Sequence, residues 1–264
     1  MEGTGVADFS EARELAQRIA REVGAPRFYA DQRAAHEESA RRFEEDPLVR
    51  QALAALDPNR DTLGHGLKHS LNVAVDAGAI ALVELGGDIQ SARAARLVTL
   101  AQVAGVLHDA QRSEPDHALL GAEEARRILA GFPLTEDERR AIAGAIENHE
   151  AFRPVVAIGD HDAQLISDAL YDADKFRWGP DNFSDMLWDM IAEFDIPLSV
   201  VLAGFMEGMD GVERIRGTFR SETGRRYGPD FIDRGMEIGH RLYAVLAVDE
   251  TVSEGDRPDR APSS

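Results

Sequence analysis

A histidine, an adjacent His-Asp pair and a later aspartate are spaced along apolar, helical sequence in this chain. These residues are His69, His108-Asp109 and Asp174. Imidazole and carboxylate groups are the ligands that many divalent metals take in proteins. Because residues so far apart in sequence meet only when helices pack side by side, the order predicts a metal held in the middle of a helical bundle.

Two further histidines, His117 and His149, lie between the pair and the last aspartate. Each is at a predicted helix end, where a histidine often serves only as a favourable cap or surface group. If both face the same site, there are enough donors for a second ion. We therefore predict one or two divalent ions, drawn from Mn, Fe, Co, Ni, Zn or Mg, as the cofactor.

The His-Asp pair follows the segment LVTLAQVAGVL, which is apolar around its whole circumference and predicts a buried helix. Charged groups at the end of such a helix are costly to bury unless they are paired or bind a metal. Adjacent residues diverge by about 100° on a helix, so both bind one ion only where the helix ends or distorts. The polar segment QRSEPD that follows permits such an end.

Four basic residues are candidates for contact with an anionic substrate. The chain has two lysines, Lys68 and Lys175, and each adjoins a proposed ligand. We predict a catalytic role for Lys175 and substrate binding for Lys68, although a coding bias toward arginine would also leave two lysines at arbitrary places. Arg112 and Arg177 are predicted to bind a substrate phosphate.

Two more residues are predicted to act in catalysis. His65 lies four residues before His69, but its flanking glycines place it at a helix start, where it either contacts the substrate or is simply exposed. Glu150 follows His149 and can orient that ligand or act as a general base. Trp178, Asp181 and Asn182 surround a Gly-Pro break and either wall a pocket or serve only packing and capping.

Helical periodicity runs through almost the whole chain, and no alternating run predicts a strand. The fold class is therefore all-α. We predict an N-terminal helical elaboration (1–60), a helical core with C-terminal helices (61–248) and a disordered polar tail (249–264). Helices are predicted at 9–23, 28–44, 47–56, 66–85, 92–109, 117–130, 135–149, 162–177, 183–194, 197–208 and 229–248.

Composition excludes several classes of partner. The net charge of −19 argues against duplex nucleic acid and against anionic membrane surfaces. The absence of cysteine excludes disulfides and thiolate ligands. The first residues, MEGTGVADFSEARELAQ, are polar and acidic, unlike a secretory signal, so we expect a cytoplasmic protein. A small anionic substrate remains compatible with this charge because a bound metal supplies local positive charge.

From about His65 to Asp174, somewhat under half its length, the chain resembles the HD superfamily of metal-dependent phosphohydrolases. In that family the first histidine precedes a valine by four residues, as His69 precedes Val73, and the His-Asp pair closes an apolar helix. The last ligand follows an alanine and precedes a basic residue, which selects Asp174 over Asp172. Members with two metals take extra histidines between these points, as His117 and His149 are placed.

The resemblance implies an HD-type helical bundle that hydrolyses a phosphate ester or nucleotide with metal-activated water. Some relatives on the same scaffold instead hold two irons and oxidise a small molecule with dioxygen, and the histidine-rich set here also suits iron. A third interpretation is a non-catalytic, metal-stabilised module that binds a protein partner. Which small molecule is the substrate, and whether the chain forms a homo-oligomer, are left open.

Overall fold

Helices make up the regular structure of residues 9–56, 66–88 and 90–255, which are the residues that the computed structural model describes. No strand occurs in these ranges, so the predicted all-α class is confirmed. The helices are α1 (Phe9–Val23), α2 (Phe28–Asp31), α3 (Arg33–Glu45), α4 (Pro47–Ala55), α5 (Leu67–Glu84), α6 (Ala92–Leu107), α7 (His117–Leu129), α8 (Glu136–Glu147), α9 (His161–Phe176), a π-helix (Asn182–Met186), α10 (Leu187–Glu193), α11 (Leu198–Ile215) and α12 (Glu222–Gly255).

Helices α5 and α6 form the centre of the bundle. They pack against each other, and α9 packs against both. Every residue of α6 from Leu97 to Leu107 is buried, as predicted for a helix that is apolar on all sides. Gly105 lets the two backbones approach closely, because a Cβ atom there would lie 2.5 Å from the Cα atom of Ala74 in α5.

The N-terminal helices cover this centre. Helix α3 packs on α5, α4 packs on α6, and α1 packs on α12 and the π-helix. Asp46 joins two of these elements, since its carboxylate accepts a hydrogen bond from the backbone N–H of Leu48 at the start of α4 and another from the Thr99 hydroxyl of α6. The elaboration predicted for residues 1–60 therefore packs directly on the core over residues 9–56.

Two predicted helix starts are confirmed by their capping bonds. Ser91 Oγ accepts a hydrogen bond from Ala94 N at the start of α6. Thr135 and Glu138 form the predicted capping box: Thr135 Oγ accepts from Glu138 N, and the Glu138 carboxylate accepts from Thr135 N.

Three boundaries differ from the prediction. The helix expected over 28–44 is interrupted at Gln32, which has φ −111° and ψ 27°, between α2 and α3. The helix expected over 183–194 begins with a π-helical turn at Asn182. The helix expected over 197–208 continues to Ile215, because the sequence after residue 208 keeps its helical spacing of apolar residues.

Helix α12 is longer than predicted at both ends. It begins at Glu222 rather than residue 229 and passes through Pro229. The early start has a local cause, because Ser221 Oγ accepts the N–H of Gly224 and so caps the first turn. At its other end α12 continues to Gly255, into the segment 249–264 expected to be disordered, since extending a helix costs less than nucleating one. Residues 256–264 lie outside the described part of the chain.

Candidate metal centre

Four helices bring five of the six predicted ligands together. His69 lies in the first turn of α5, and His108 and Asp109 follow the last residue of α6. His149 comes just after α8, and Asp174 lies in the last turn of α9. All five side chains are at least nine-tenths buried. The helix ends at Leu107, so the backbone turn there allows His108 and Asp109 to face the same point, as the sequence required.

The first group of donor atoms consists of His69, His108 and Asp174. The Nε2 atoms of the two histidines are 3.2 Å apart. Asp174 Oδ1 lies 3.2 Å from His69 Nε2 and 3.7 Å from His108 Nε2. Metal–ligand bonds of about 2.1 Å put neighbouring ligand atoms ~3.0 Å apart in an octahedron and ~3.4 Å apart in a tetrahedron. The group therefore has the spacing that one divalent ion needs.

The second group consists of His108, Asp109 and His149. Asp109 Oδ2 lies 3.4 Å from His108 Nε2 and 3.8 Å from His69 Nε2, while Asp109 Oδ1 lies 3.5 Å from His149 Nε2. The two oxygens of one carboxylate thus face the histidines of different groups. Asp109 Oδ1 is buried and accepts no hydrogen bond in the described structure. A buried acceptor without a donor is costly, and a cation at this position would satisfy it.

Backbone carbonyls select the tautomers of two ligands. His108 Nδ1 lies 2.8 Å from Gly105 O, and His149 Nδ1 lies 2.6 Å from Ile146 O. A carbonyl oxygen can only accept, so each Nδ1 carries the proton and each neutral ring keeps its Nε2 lone pair for a metal. Hydrogen bonds of this kind are typical of metal-binding histidines because they fix the orientation of the ring.

The electrostatics of the site are those of a cation-binding position. Burial lowers the pKa of His108, but Asp109 and Asp174 outweigh this effect and raise it to about 10. Burial acts to raise the pKa of Asp109, and His108 and His149 more than offset that, so its pKa lies well below the usual range. The pKa of Asp174 is likewise well below its usual range, since Lys175 and the two nearest histidines oppose the effect of burial. The carboxylates are therefore charged and attract either a proton or a metal.

His117, predicted as a ligand, stands beside these groups and belongs to neither. Its ring centroid is 5.2 Å from that of His149, and its Nε2 atom is 2.9 Å from Arg112 Nη1, which donates to it. Burial, His149 and Arg112 lower the pKa of His117 to about 4, so its ring is neutral. Its lone pair is directed at Arg112, so metal binding by His117 would require that contact to be exchanged.

Asp172 and Asp174 have different surroundings, although they are two residues apart on α9. The carboxylate of Asp172 accepts hydrogen bonds from the backbone N–H groups of Arg220 and Ser221 and from the Ser221 hydroxyl. Asp172 therefore anchors the residues that lead into α12, including Ser221, the cap of that helix. Of these two aspartates, Asp174 is the one that faces the histidines.

The predicted catalytic residues are placed as follows. Lys175 is buried, and its Nζ atom is 2.5 Å from Asp174 Oδ2. Glu150 is half-buried and pairs with Arg153 on the protein surface, with Arg153 Nε 3.0 Å from its Oε1 atom. His65 lies outside the described residues.

The predicted substrate-binding cations are in three different environments. Lys68 is exposed and lies 3.5 Å from Asp185. Arg112 donates to His117. Arg177 is buried and is already bound by the carboxylates of Asp76 and Asp181. A phosphate would have to compete with those carboxylates for Arg177.

The sequence interpretation missed the buried network around Arg177. Asp76 is 1% exposed and pairs with Arg177, and its other oxygen is 3.3 Å from His36 Nε2. Tyr29 donates its hydroxyl to Asp76 and accepts from Arg177. A signal was present, because Asp76 interrupts an otherwise apolar stretch of α5, and an isolated charge in a buried helix requires a partner.

One cavity reaches the centre at His69, and a second cavity shares Met186 with the first. One of about 550 Å³ is lined by His69, Lys68 and Arg177 together with the acidic side chains of Asp181, Asp185 and Asp189. The other, of about 470 Å³, is lined mainly by apolar residues of the π-helix, α10 and α11, and by Arg112. Trp178 and Asn182 line the second cavity and Asp181 the first, so the residues around the Gly-Pro break do form cavity walls.

Fold and site together define an all-α protein with buried His/Asp groups that could hold divalent metal. Comparison with protein-family models, curated proteins and solved structures found no match to this chain. Within the ranges described above, no helix is both long enough and apolar enough to cross a membrane. The resemblance to the HD superfamily therefore stays a prediction from the residues themselves.

Proposed function

We propose that this protein is a metal-dependent hydrolase of a phosphate ester or nucleotide, with the HD-type site expected from its sequence. One observation carries the proposal: the two oxygens of the Asp109 carboxylate face different histidines, Oδ2 facing His108 and Oδ1 facing His149. This arrangement suits one or two divalent ions, and paired ions are characteristic of enzymes that displace groups at phosphorus. His69, His149 and Asp174 complete the ligand set.

A divalent ion bound here supplies Lewis acidity toward phosphoryl oxygens and lowers the pKa of a bound water. The chain's own residues prepare the site for it. The carbonyls of Gly105 and Ile146 keep His108 and His149 in the tautomer that presents Nε2. Lys175 holds Asp174 Oδ2, which leaves Oδ1 facing the histidines.

Other charged side chains would bind and orient the substrate. Arg112, which donates to His117, would bind a substrate phosphate, and Lys68 lines the cavity that reaches His69. Glu150 can act as a general base only if it leaves Arg153, so we assign it a secondary place in the proposal. Cytoplasmic location and a small-molecule phosphate as partner remain part of the proposal.

The decisive test is the variant Asp109→Asn, which keeps the size of the side chain and removes its charge. We expect metal content, measured by elemental analysis of the purified protein, to fall, and hydrolysis of p-nitrophenyl phosphate and of a nucleotide panel to be lost. The matched control is Asp162→Asn, a carboxylate on α9 that pairs with Arg93 at the surface. Unchanged metal content in Asp109→Asn would contradict the metal assignment.

An oxygenase with two irons is the second candidate, and the predominance of imidazole among the ligands favours it. His69, His108 and His149 supply three nitrogen donors to the two groups, a set that suits iron. Anaerobic purification with metal analysis, followed by oxygen-uptake measurements against a substrate panel, separates the candidates. Two irons per chain with substrate-dependent oxygen uptake, and no phosphate release, would replace the hydrolase proposal.

A further inference from the structure

An apolar groove lies between the π-helix, α10 and α11, next to the cavity that reaches His69. Its volume of about 470 Å³ falls in the range of about 300–1,000 Å³ that is typical of small-molecule sites. Phe183, Phe205 and Met209 form buried parts of its wall. Val200 and Gly208, also in the lining, are exposed, so the groove runs from the surface into the core.

Arg112 is the charged residue in this otherwise mainly apolar lining. Its guanidinium donates to the neutral imidazole of His117, and it pairs with no carboxylate among the residues that the structure describes. This is notable in a chain with 48 acidic residues, where surface arginines such as Arg93 and Arg140 have acidic partners. The cation at the groove is therefore available to an anion from outside the protein.

Arg112 connects the groove to the proposed metal centre through a chain of side-chain contacts. The Arg112 guanidinium contacts His117, whose ring is 5.2 Å from that of His149, and His149 Nε2 is 3.5 Å from Asp109 Oδ1. An anion bound by Arg112 would lie near His117, whose ring packs against that of the proposed ligand His149. Met186 lines both this groove and the cavity that reaches His69, so the two cavities are neighbours.

The walls of the groove suit a flexible apolar chain. Met186, Met190 and Met209 line it, and methionine side chains adapt their shape to irregular ligands. Part of the wall is the π-helix, a rare element that is often found at functional sites. Gly204 and Gly208 of α11 leave open space along it, since a Cβ atom at either position would meet nothing within 4 Å.

We propose that the groove binds the hydrocarbon part of an amphiphilic phosphate monoester, with Arg112 binding its phosphate at the metal centre. This inference rests on the proposed function and names its substrate class. Hydrolysis would break the bond between phosphorus and the ester oxygen. Water would supply a hydroxyl group to phosphorus and a proton to the departing long-chain alcohol.

Binding of hexyl, octyl and decyl phosphate, measured by titration calorimetry below their micelle concentrations, tests the proposal. We expect the Kd to fall two- to fourfold for each added methylene, because complete burial of one CH₂ corresponds to about fourfold in affinity (~0.8 kcal/mol). Binding is measured with and without chelator, so that it does not depend on turnover.

Two glycines of α11 supply a matched pair of variants. Gly208→Leu places a side chain in the groove and should abolish the gain in affinity between hexyl and decyl phosphate. Gly211 lies on the same helix, also with open space at its Cβ position but outside the lining, so Gly211→Leu should keep that gain.

The role of Arg112 is tested separately. Arg112→Gln should weaken the binding of octyl phosphate more than the binding of 1-octanol. Arg112→Lys should keep part of the preference for phosphate.

The outcomes separate this inference from the proposed function. Hydrolysis of soluble phosphates without any dependence of binding on chain length would overturn the inference and leave the function standing. A second outcome is binding that depends on chain length and is abolished by Gly208→Leu, without any phosphatase activity. It would support the groove as a site for amphiphiles and contradict the proposed hydrolase function. Self-association that Gly208→Leu disrupts, with no binding of alkyl phosphates, would show that a second copy of the chain occupies the groove.

Discussion

At the scale of single residues, the carboxylates of Asp172 and Asp174 on α9 have different partners and different roles. Asp174 faces the histidines and is held by Lys175, whereas Asp172 accepts three hydrogen bonds from residues 220 and 221. Residues two apart on a helix point in different directions, so the two side chains cannot share one ion. The sequence predicted that division, and the contacts assign Asp172 to the junction with α12.

The stability contributed by Asp172 should depend on pH. Burial raises the pKa of Asp172 from 3.8 to about 6, although its bonds from Ser221 and Arg220 lower it. Between pH 4 and 6 the folded protein then holds a proton that the unfolded chain has released. The protonated carboxyl group of Asp172 therefore contributes to the unfolding free energy. This contribution, ~3 kcal/mol at most, is complete below about pH 4 and is lost as the pH rises through 6.

The variant Asp172→Asn cannot titrate and isolates this effect. As the pH rises from 4 to 7, we expect the unfolding free energy of the wild type to fall by about 1–3 kcal/mol relative to that of the variant. Urea unfolding at a series of pH values, with chelator present to exclude metal effects, measures the shift. Parallel stability curves for the two proteins would show that Asp172 keeps an ordinary pKa.

At the scale of helices, the close packing of α5 and α6 determines the distance between two ligands. Gly105 of α6 meets Ala74 of α5 without room for a Cβ atom. The carbonyl of Gly105 also accepts the Nδ1 proton of His108. A single glycine thus sets both how closely the helices approach and which way the His108 ring is turned.

Gly105→Ala should damage stability and metal binding together. Forcing a methyl group against the backbone of α5 should cost about 1–3 kcal/mol in unfolding free energy. Metal affinity should fall by about 10–100-fold, because the bond that orients His108 shifts. Urea unfolding and metal titration measure the two effects.

Gly144→Ala on α8 is the control for this prediction. A Cβ atom there would make an ordinary contact with Ile158, at 3.5 Å. Replacing a helical glycine by alanine should stabilise the protein by up to about 1 kcal/mol where there is room. Equal effects of Gly105→Ala and Gly144→Ala would refute the close-approach argument.

At the scale of the whole molecule, the candidate metal centre joins α5, α9 and the ends of α6 and α8. Its buried carboxylates and imidazoles are formed as a site only when these helices pack. A divalent ion that binds the folded state in preference to the unfolded chain stabilises the entire bundle by mass action. The stability of the fold and the occupancy of the site are therefore coupled.

Metal should raise the thermal stability of the chelator-treated protein. At a free metal concentration of about 100 Kd, the gain should be ~2.7 kcal/mol in unfolding free energy. Thermal unfolding with added Mn²⁺, Zn²⁺ or Fe²⁺ measures it, and Asp109→Asn serves as the variant that should show a much smaller shift. A melting temperature that does not respond to any of these ions would count against a metal centre.

The sequence by itself determined the all-α class and most helix positions, and it predicted five residues that the fold brings together in the candidate metal centre. Apolar spacing marks buried helices, and a His-Asp pair at the end of a buried helix needs a partner, so both follow from local pattern. The cap at Thr135 was likewise readable from two residues. The length of α12 was less predictable, because the helix passes through Pro229, a residue that usually breaks a helix, while it packs against α1, α9 and α11.

Only the tertiary structure decided which polar groups meet. It directs the lone pair of His117 at Arg112, surrounds Arg177 with the carboxylates of Asp76 and Asp181, and turns the two oxygens of Asp109 toward different histidines. These pairings depend on how far helices approach and rotate against each other. A spacing along the chain does not contain that information, because each side-chain contact across the bundle is set by the packing of the residues around it.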